Sequence, residues 1–257
     1  MNLYQKRFEI RFTQNKNELI ESQKLRHKVF IEEMGGSKKN LSLVSNLESD
    51  KFDEFCRHLI IIDHKNSKQF PNGKIIAVTR LMLTEDSRNG IGFYSSQEFN
   101  LNPIISTNKE CLEIGRTCID HEYRNTLILH YLWIELGSFC SKRGVEILFG
   151  VASFSGNNIK KIEMALSHIH NDYLAPPKIR PMALEHGYLK MSIIPKDEIN
   201  KSKALKQMPS LLKSYLRLGA KVGEGAFVDK EMNTIDILIM IDVSNMTNKY
   251  KMYYEKS

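Results

Sequence analysis

Six charged residues stand where the sequence around them predicts burial or a tight loop. Arg26 lies in LRHKVF between Leu25 and Val29, Arg80 interrupts IIAVTRLML, Glu113 and Arg116 share LEIGRTCI, and Asp50 and Asp53 fall in ESDKFDEF. An ionised side chain in such a setting costs several kcal/mol unless it is paired. Three acids against three arginines therefore predict one ion network, which either only fixes loop geometry or belongs to a reaction centre. Glu113 and Arg116 are three residues apart, so a regular strand would aim them at opposite faces. Gly115 between them points to a bulge that turns both toward one side. A bulge there would part the strand from its neighbour and free backbone N–H donors for a thioester oxygen or an amide.

Other reactive side chains fit ordinary roles better. Cys56, Cys111, Cys118 and Cys140 form no CxxC pair and no cluster with metal spacing, so they read as reduced thiols, most of them buried. His58, His121, His168 and His170 show no metal spacing with acids nearby, and no metal is expected. Ser153 and Ser155 in GVASFSG sit past a strand end, where they could bind substrate or cap the helix that follows.

The elements that must position these residues follow from periodicity. Residues 7–13 alternate as a first strand, and 17–33 carry a broad apolar stripe as a helix ended by Gly35-Gly36. Residues 37–56 read as a polar loop. Residues 58–63 and 74–83 are apolar strands joined by a segment rich in turn formers, hence a hairpin. A strand over 110–119, a buried helix over 124–142, a strand over 146–152 and a helix over 158–170 come next. After Pro176-Pro177 the pattern weakens. A helix resumes over 203–218, interrupted or restarted at Pro209, and strands over 222–228 and 234–243 follow. This order predicts an α/β domain with a mixed sheet and helices on both faces.

Bulk properties exclude several classes. The 257 residues are 42% hydrophobic and 26% charged, which suits a globular chain with a sizeable core rather than disorder. No apolar run spans a bilayer, and MNLYQKRFEIRF lacks a signal-peptide core, so the expected location is cytoplasmic. The net charge is +7, and 196–221 hold seven Lys/Arg against Asp197 and Glu198. Such a segment is either a solvated helix face or a surface for an acidic partner. No zinc spacing or aromatic RNA-binding motif is present, so nucleic acid is not expected.

LRHKVFIEEMG, SDKFDEFCRHLIIID, IIAVTRLML, GFYSSQEFNL, LEIGRTCI, LFGVASFSG and PSLLKSYLRLGAKVGEGAFVDKEMNTIDILI, in this order, resemble the bacterial ornithine N-acyltransferases over nearly the whole chain. The acyl-homoserine-lactone synthases share part of the pattern, on Arg26, Phe30, Asp50, Asp53, Arg80, Phe93, Glu113 and Arg116. The tryptophan that family usually carries soon after the first helix is missing here, the only one being Trp133.

The resemblance implies an acetyltransferase-like (GNAT-type) fold with a mostly antiparallel central sheet and a C-terminal extension of a helix plus strands. It would divide as a core over 1–175 and an extension over 176–257 packed on it as part of the same domain. The implied reaction moves a 3-hydroxyacyl chain from an acyl carrier protein thioester to the α-amine of ornithine, with no resident cofactor. The alternatives are a lactone-type signal synthase, N-acylation of another amino acid, or a non-catalytic carrier-binding module on the same fold. In the implied site Glu113 and Arg116 are catalytic, with Glu113 the base, directly or through water. Arg26, Phe30, Asp50, Asp53, Arg80, Phe93, Ser153 and Ser155 would meet substrate, the two aspartates holding an ammonium and Arg80 and Arg116 a carboxylate. The junction DHEYRNTLIL lacks the glycines that bring backbone close to a pyrophosphate, which favours a carrier protein over coenzyme A. Lys203, Lys206, Lys213 and Arg217 would then face the acidic carrier, and peripheral contact with the inner membrane is also expected.

Overall fold

Strand β1 (Phe8–Phe12) begins the computed structural model, which describes residues 7–36, 46–65, 71–124 and 126–243. Helix α1 (Lys16–Arg26) follows, capped by Asn15, whose side chain accepts from the Glu18 N–H. It widens into a π-helical segment, His27–Glu33, a form common at functional sites. Then come β2 (Arg57–Asp63), β3 (Lys74–Leu83), the short α2 (Thr84–Asn89), β4 (Phe99–Asn100), α3 (Asn102–Ile105) and β5 (Cys111–Ile119). Helix α4 (Ile128–Arg143), β6 (Ile147–Ser155), α5 (Glu163–Tyr173), β7 (Met182–Ala183) and β8 (Tyr188–Leu189) continue the chain. Helices α6 (Lys201–Gln207) and α7 (Ser210–Arg217) and strands β9 (Lys221–Val222), β10 (Ala226–Asp229) and β11 (Thr234–Asp242) complete it.

The main sheet runs β1-β2-β3-β5-β6-β11-β10-β8, with β9 also on β11. Every pair in it is antiparallel except β5–β6. Strands β8–β11, from beyond residue 176, thus complete the same sheet as β1, β2, β3, β5 and β6, while β4 and β7 pair in a separate two-stranded sheet. Alternation fixes which face each residue takes. Leu59 and Ile61 of β2 pack with Leu132 and Leu136 of α4, whereas Ile60 and Ile62 pack with Leu25 of α1 and Val29 of the π-helical segment. A strand buried on both faces reads as a continuous apolar run, as LIII does here.

Two local departures from regular pairing shape the centre of the sheet. The β3–β5 register shifts between Val78↔Cys118 and Arg80↔Gly115, so β5 carries one residue more than β3 at that point. This is the bulge expected from the sequence, but its strained residue is Arg116, at φ +50°, rather than Gly115. Left-handed backbone costs a non-glycine residue about 1–2 kcal/mol. The second departure is that β5 and β6 pair only from Cys111↔Ile147 to Glu113↔Phe149 and then part. Gly150 lies at the fork, where an added Cβ would stand 2.1 Å from the Ile114 carbonyl oxygen. Only glycine lets β5 veer across β6 here.

Some details differ from the periodic reading. Residues 84–106 show no period in the sequence, yet they hold α2, β4, α3 and a 3₁₀ turn over Tyr94–Gln97, all too short to show one. The single strand expected over 222–228 is broken into β9 and β10, because Gly225 adopts φ +73°. Strand β6 runs on to Ser155, so Ser153 and Ser155 are strand residues, and the following 3₁₀ turn starts from Asn158 instead. Helix restart at Pro209 is as expected, with Pro209 preceding α7. The part of the expected loop over 37–45 lies outside the described residues. Among the described residues no helix is long and apolar enough to cross a membrane.

Candidate active site

The three arginines of the sequence reading meet on the α1 side of the sheet, but the acid that completes their set is Glu48. Arg26 Nε donates to Glu48 Oε2 at 2.5 Å, and Arg26 Nη1 to Asp53 Oδ1 at 2.7 Å. Arg80 Nη1 bridges Asp53 Oδ1 at 2.8 Å and Asp50 Oδ1 at 2.6 Å. Arg116 Nε reaches Glu48 Oε1 at 3.0 Å, and its Nη2 lies 3.3 Å from Asp50 Oδ2. Arginine and carboxylate alternate round a closed ring: Arg26, Glu48, Arg116, Asp50, Arg80, Asp53. Burial pushes the Glu48 carboxyl up, but the Arg116 and Arg26 guanidinium groups outweigh it and hold it at about 2. Asp53 is held well below the carboxylate range the same way, by Arg26 and Arg80 against burial. Glu48 was missed because it stands in a polar loop, where an acid carries no signal of burial.

Glu113 is outside this ring. Its Oε1 accepts from the Ser95 backbone N–H at 2.7 Å and its Oε2 from that of Tyr94 at 2.8 Å. The expected place of Glu113 in the arginine network is therefore corrected: its partners are amides of the 3₁₀ turn. Full burial raises its pKa, and the Ser95 and Tyr94 donors act the other way. Arg116 instead lays its guanidinium 4.5 Å from the Tyr94 ring centre, and burial with Arg116 opposing pushes the Tyr94 phenol up to about 12.

A cavity of about 650 Å³ opens where β5 leaves β6. Arg80, Met82, Glu113 and Ser153 line it from the α1 side of the sheet. Ile114, Ala152, Leu212 and Tyr215 line it from the other side, so it crosses the sheet through the fork. Phe30 and Met34, in and just after the π-helical segment, close one wall. Gly115 faces open space, since a Cβ there would meet nothing within 4 Å.

The other sequence candidates divide. Phe30, Arg80, Glu113, Arg116 and Ser153 line the cavity. Arg26, Asp50 and Asp53 do not: their charged ends are taken up in the ring, which removes the two aspartates as free holders of an ammonium. Phe93 is core, edge-on to Phe149 at 5.0 Å, and Ser155 is exposed at the end of β6. Lys203, Lys206 and Arg217 are exposed and Lys213 is half-buried. They stand on α6 and α7, and α7 also roofs the cavity through Leu211 and Ser214. Cys56 lines the cavity, but burial pushes its thiol up to about 12, too high to supply a thiolate nucleophile near neutral pH.

Beyond the sequence candidates, Glu33 of the π-helical segment lines the cavity, and three further acids converge on it: Glu98 after the 3₁₀ turn, Asp229 at the end of β10 and Asp236 on β11. Asp236 pairs across the sheet with Ser153. Its signal in the sequence was an acid inside TIDILIMID, read only as an interruption of an apolar run.

A mixed sheet forked between two parallel strands, with a carboxylate at the fork and a cavity crossing it, defines an N-acyltransferase of the acetyltransferase type. Residues 25–134 match the family model described as an acetyltransferase (GNAT) domain. The chain is similar to an L-ornithine N(alpha)-acyltransferase of Rhodobacter capsulatus, 34% identical over 97% of this chain and 95% of that protein. A protein of the same name from Brucella abortus is also 34% identical, over 96% of this chain and 88% of its own length. Among solved structures, FeeM, an N-acyl amino acid synthase from uncultured soil microbes, aligns at TM-score 0.56 and 10% identity, covering 96% of this chain and 98% of that one. The acyl-homoserine lactone synthase LasI aligns at TM-score 0.50 and 14% identity over 96% of this chain and 94% of that one. At that identity the likeness shows the fold alone. The chain belongs to the L-ornithine N(alpha)-acyltransferase family.

Proposed function

We propose that this N-acyltransferase moves a 3-hydroxyacyl group from the phosphopantetheine thioester of an acyl carrier protein to the α-amine of ornithine. The observation that carries the reading is the fork beside Glu113, in a chain so closely related to proteins named for ornithine acylation. The donor arm enters on the side roofed by α7, beside the basic residues Lys203, Lys206, Lys213 and Arg217. The thioester carbonyl rests against Gly115, where no side chain intrudes. Ladder pairing between β5 and β6 ends at Glu113, and backbone N–H groups past that point hold the carbonyl oxygen. The amine attacks from the other side of the sheet, where Arg80, Glu113 and Ser153 stand.

The attacking nitrogen must be neutral, and an amino-acid ammonium is largely protonated near neutral pH. Both Glu113 oxygens already accept an amide N–H, so the proton passes to its remaining lone pairs through a water. The raised pKa makes Glu113 a stronger base than an exposed glutamate. The C–N bond forms, the tetrahedral intermediate expels the pantetheine thiolate, and the thiolate takes up a proton. Arg116 and the ring of alternating charges position β5 and the Tyr94–Gln97 turn, rather than binding the amino acid through Asp50 or Asp53. Residues 1–175 and 176–257 work as one unit, because β11 supplies one wall of the site. The test is turnover by the purified protein with a 3-hydroxyacyl carrier protein and a panel of amino acids, read by mass spectrometry. N-acyl-ornithine is the expected product; a released lactone, or equal use of acyl-coenzyme A, would count against the reading.

A further inference from the structure

Glu98, Asp229 and Asp236 offer carboxylate oxygens that all lie within 4.8 Å of one another, on the cavity wall. Acidic clusters are common, so a second observation is needed before a ligand is inferred. Glu98 is 4% exposed and Asp236 3% exposed; among the described residues Glu98 Oε2 and Asp236 Oδ1 lack a hydrogen-bond partner, although the Ser153 and Thr234 hydroxyls act on the Asp236 carboxyl group. Unpartnered carboxylate oxygens this deeply buried are rare, because each forfeits its hydration without compensation. The other acids of the site are satisfied: Glu48, Asp53 and the half-buried Asp50 by arginines, Glu113 by two amides, and half-buried Asp229 accepts the Glu231 and Met232 N–H groups on its Oδ1. Among the described residues the group also lacks a cation of its own. Arg116, the arginine close enough to be felt by Glu98 and Asp236, is paired with Glu48 and Asp50.

We propose that Glu98, Asp229 and Asp236 form the subsite for the side-chain ammonium of a diamino-acid acceptor. This deepens the function proposed above and rests on it. An ammonium carries three N–H donors and one positive charge, which suits three convergent carboxylates. The three acids lie on the same side of the sheet as Glu113, and Asp236 is cross-strand from Ser153, so an acceptor can hold its side chain here while its α-amine meets the thioester at the fork. The acids repel one another. Burial first, then mutual repulsion, raises Glu98 well above the usual carboxylate range, and burial raises Asp236 to about 6. A bound ammonium removes both penalties, so the affinity is gained at an arrangement that is unfavourable without ligand.

The experiment compares L-ornithine with L-norvaline, which has the same carbon chain without the side-chain amine, in the wild type and in Asp236→Asn and Glu98→Gln. Both variants are near-isosteric and relieve repulsion, so melting temperatures should hold or rise, and the two lie on different elements. The wild type should favour ornithine in kcat/KM by on the order of 10⁴, as sites built around a substrate polar group do. Each variant should lower that ratio by at least about 10-fold, chiefly through the KM for ornithine. An unchanged ratio in a folded variant overturns the subsite, as does an equal fall in kcat on both acceptors, which would mark a proton acceptor. Activity lost to a chelator and restored by magnesium or manganese overturns it in favour of a metal site. No turnover of ornithine by the wild type overturns the proposed function itself, whereas wild-type turnover of both acceptors at similar rates overturns the ammonium subsite alone.

Discussion

Glu113→Gln separates chemistry from architecture, because the structure fixes what the change does to each. Today Oε1 and Oε2 each accept one backbone N–H, from Ser95 at 2.7 Å and Tyr94 at 2.8 Å. Glutamine keeps one acceptor and turns an NH₂ group toward the other amide, so one buried donor is left facing a donor. That costs about 1–3 kcal/mol. The opposing gain is that a buried carboxylate, whose pKa burial has raised, no longer has to be ionised. For such a group the folded state is penalised at pH above its raised pKa, and the amide removes that penalty. The two effects partly cancel, and a net loss of about 1 kcal/mol shifts the melting temperature by roughly 2–4 °C for a chain of this size. The catalytic effect is of another order: removing a general base lowers turnover by about 10²–10⁴-fold. The assay is single-turnover acyl transfer from carrier protein, with a melting curve on the same sample. In the wild type, turnover should rise with pH through the raised Glu113 pKa, and the variant should lose that limb. A folded variant with undiminished turnover and an unchanged pH profile refutes the role given to Glu113.

Arg26→Met should destabilise the protein by about 3–5 kcal/mol in urea unfolding, since it strips a guanidinium from two buried carboxylates, Glu48 and Asp53. Stability should fall on acidification between about pH 4.5 and 2: Glu48 titrates at 4.5 when unconstrained and at about 2 in the fold, so its contribution is complete above the first value and lost toward the second. Melting temperature against pH checks this, and Glu48→Gln should flatten the curve in that window. Charge reversal at Lys206 and Arg217 should lower kcat/KM for the acyl carrier protein by about 10-fold at low salt, with the deficit shrinking as salt rises. Equal loss with an acyl-pantetheine donor, which has no protein surface, would argue against a docking role.

The elements long enough to show a period were legible in the sequence: the β2–β3 hairpin, β5, α4, β6 and β11 lie within a few residues of their expected positions. So was the family, because LFGVASFSG and the C-terminal run carry specific order rather than general pattern. Arg26, Arg80 and Arg116 were also legible, since a charge inside an apolar run must find a partner. What the sequence could not assign was the partner. Glu48 and Glu113 both follow Leu, yet one lies in a polar loop and closes the arginine ring while the other faces two amides of a turn too short to be anticipated. The cavity acids Glu98, Asp229 and Asp236 come from three separate segments. They meet only because β11 returns to lie beside β6, and β10 and the turn after Phe93 pack against that edge. Local periodicity depends on neighbours three or four residues away, and the sequence displays it directly. Convergence of distant charges depends on strand order and on where β5 parts from β6, and these are decided only when the whole sheet closes over its core.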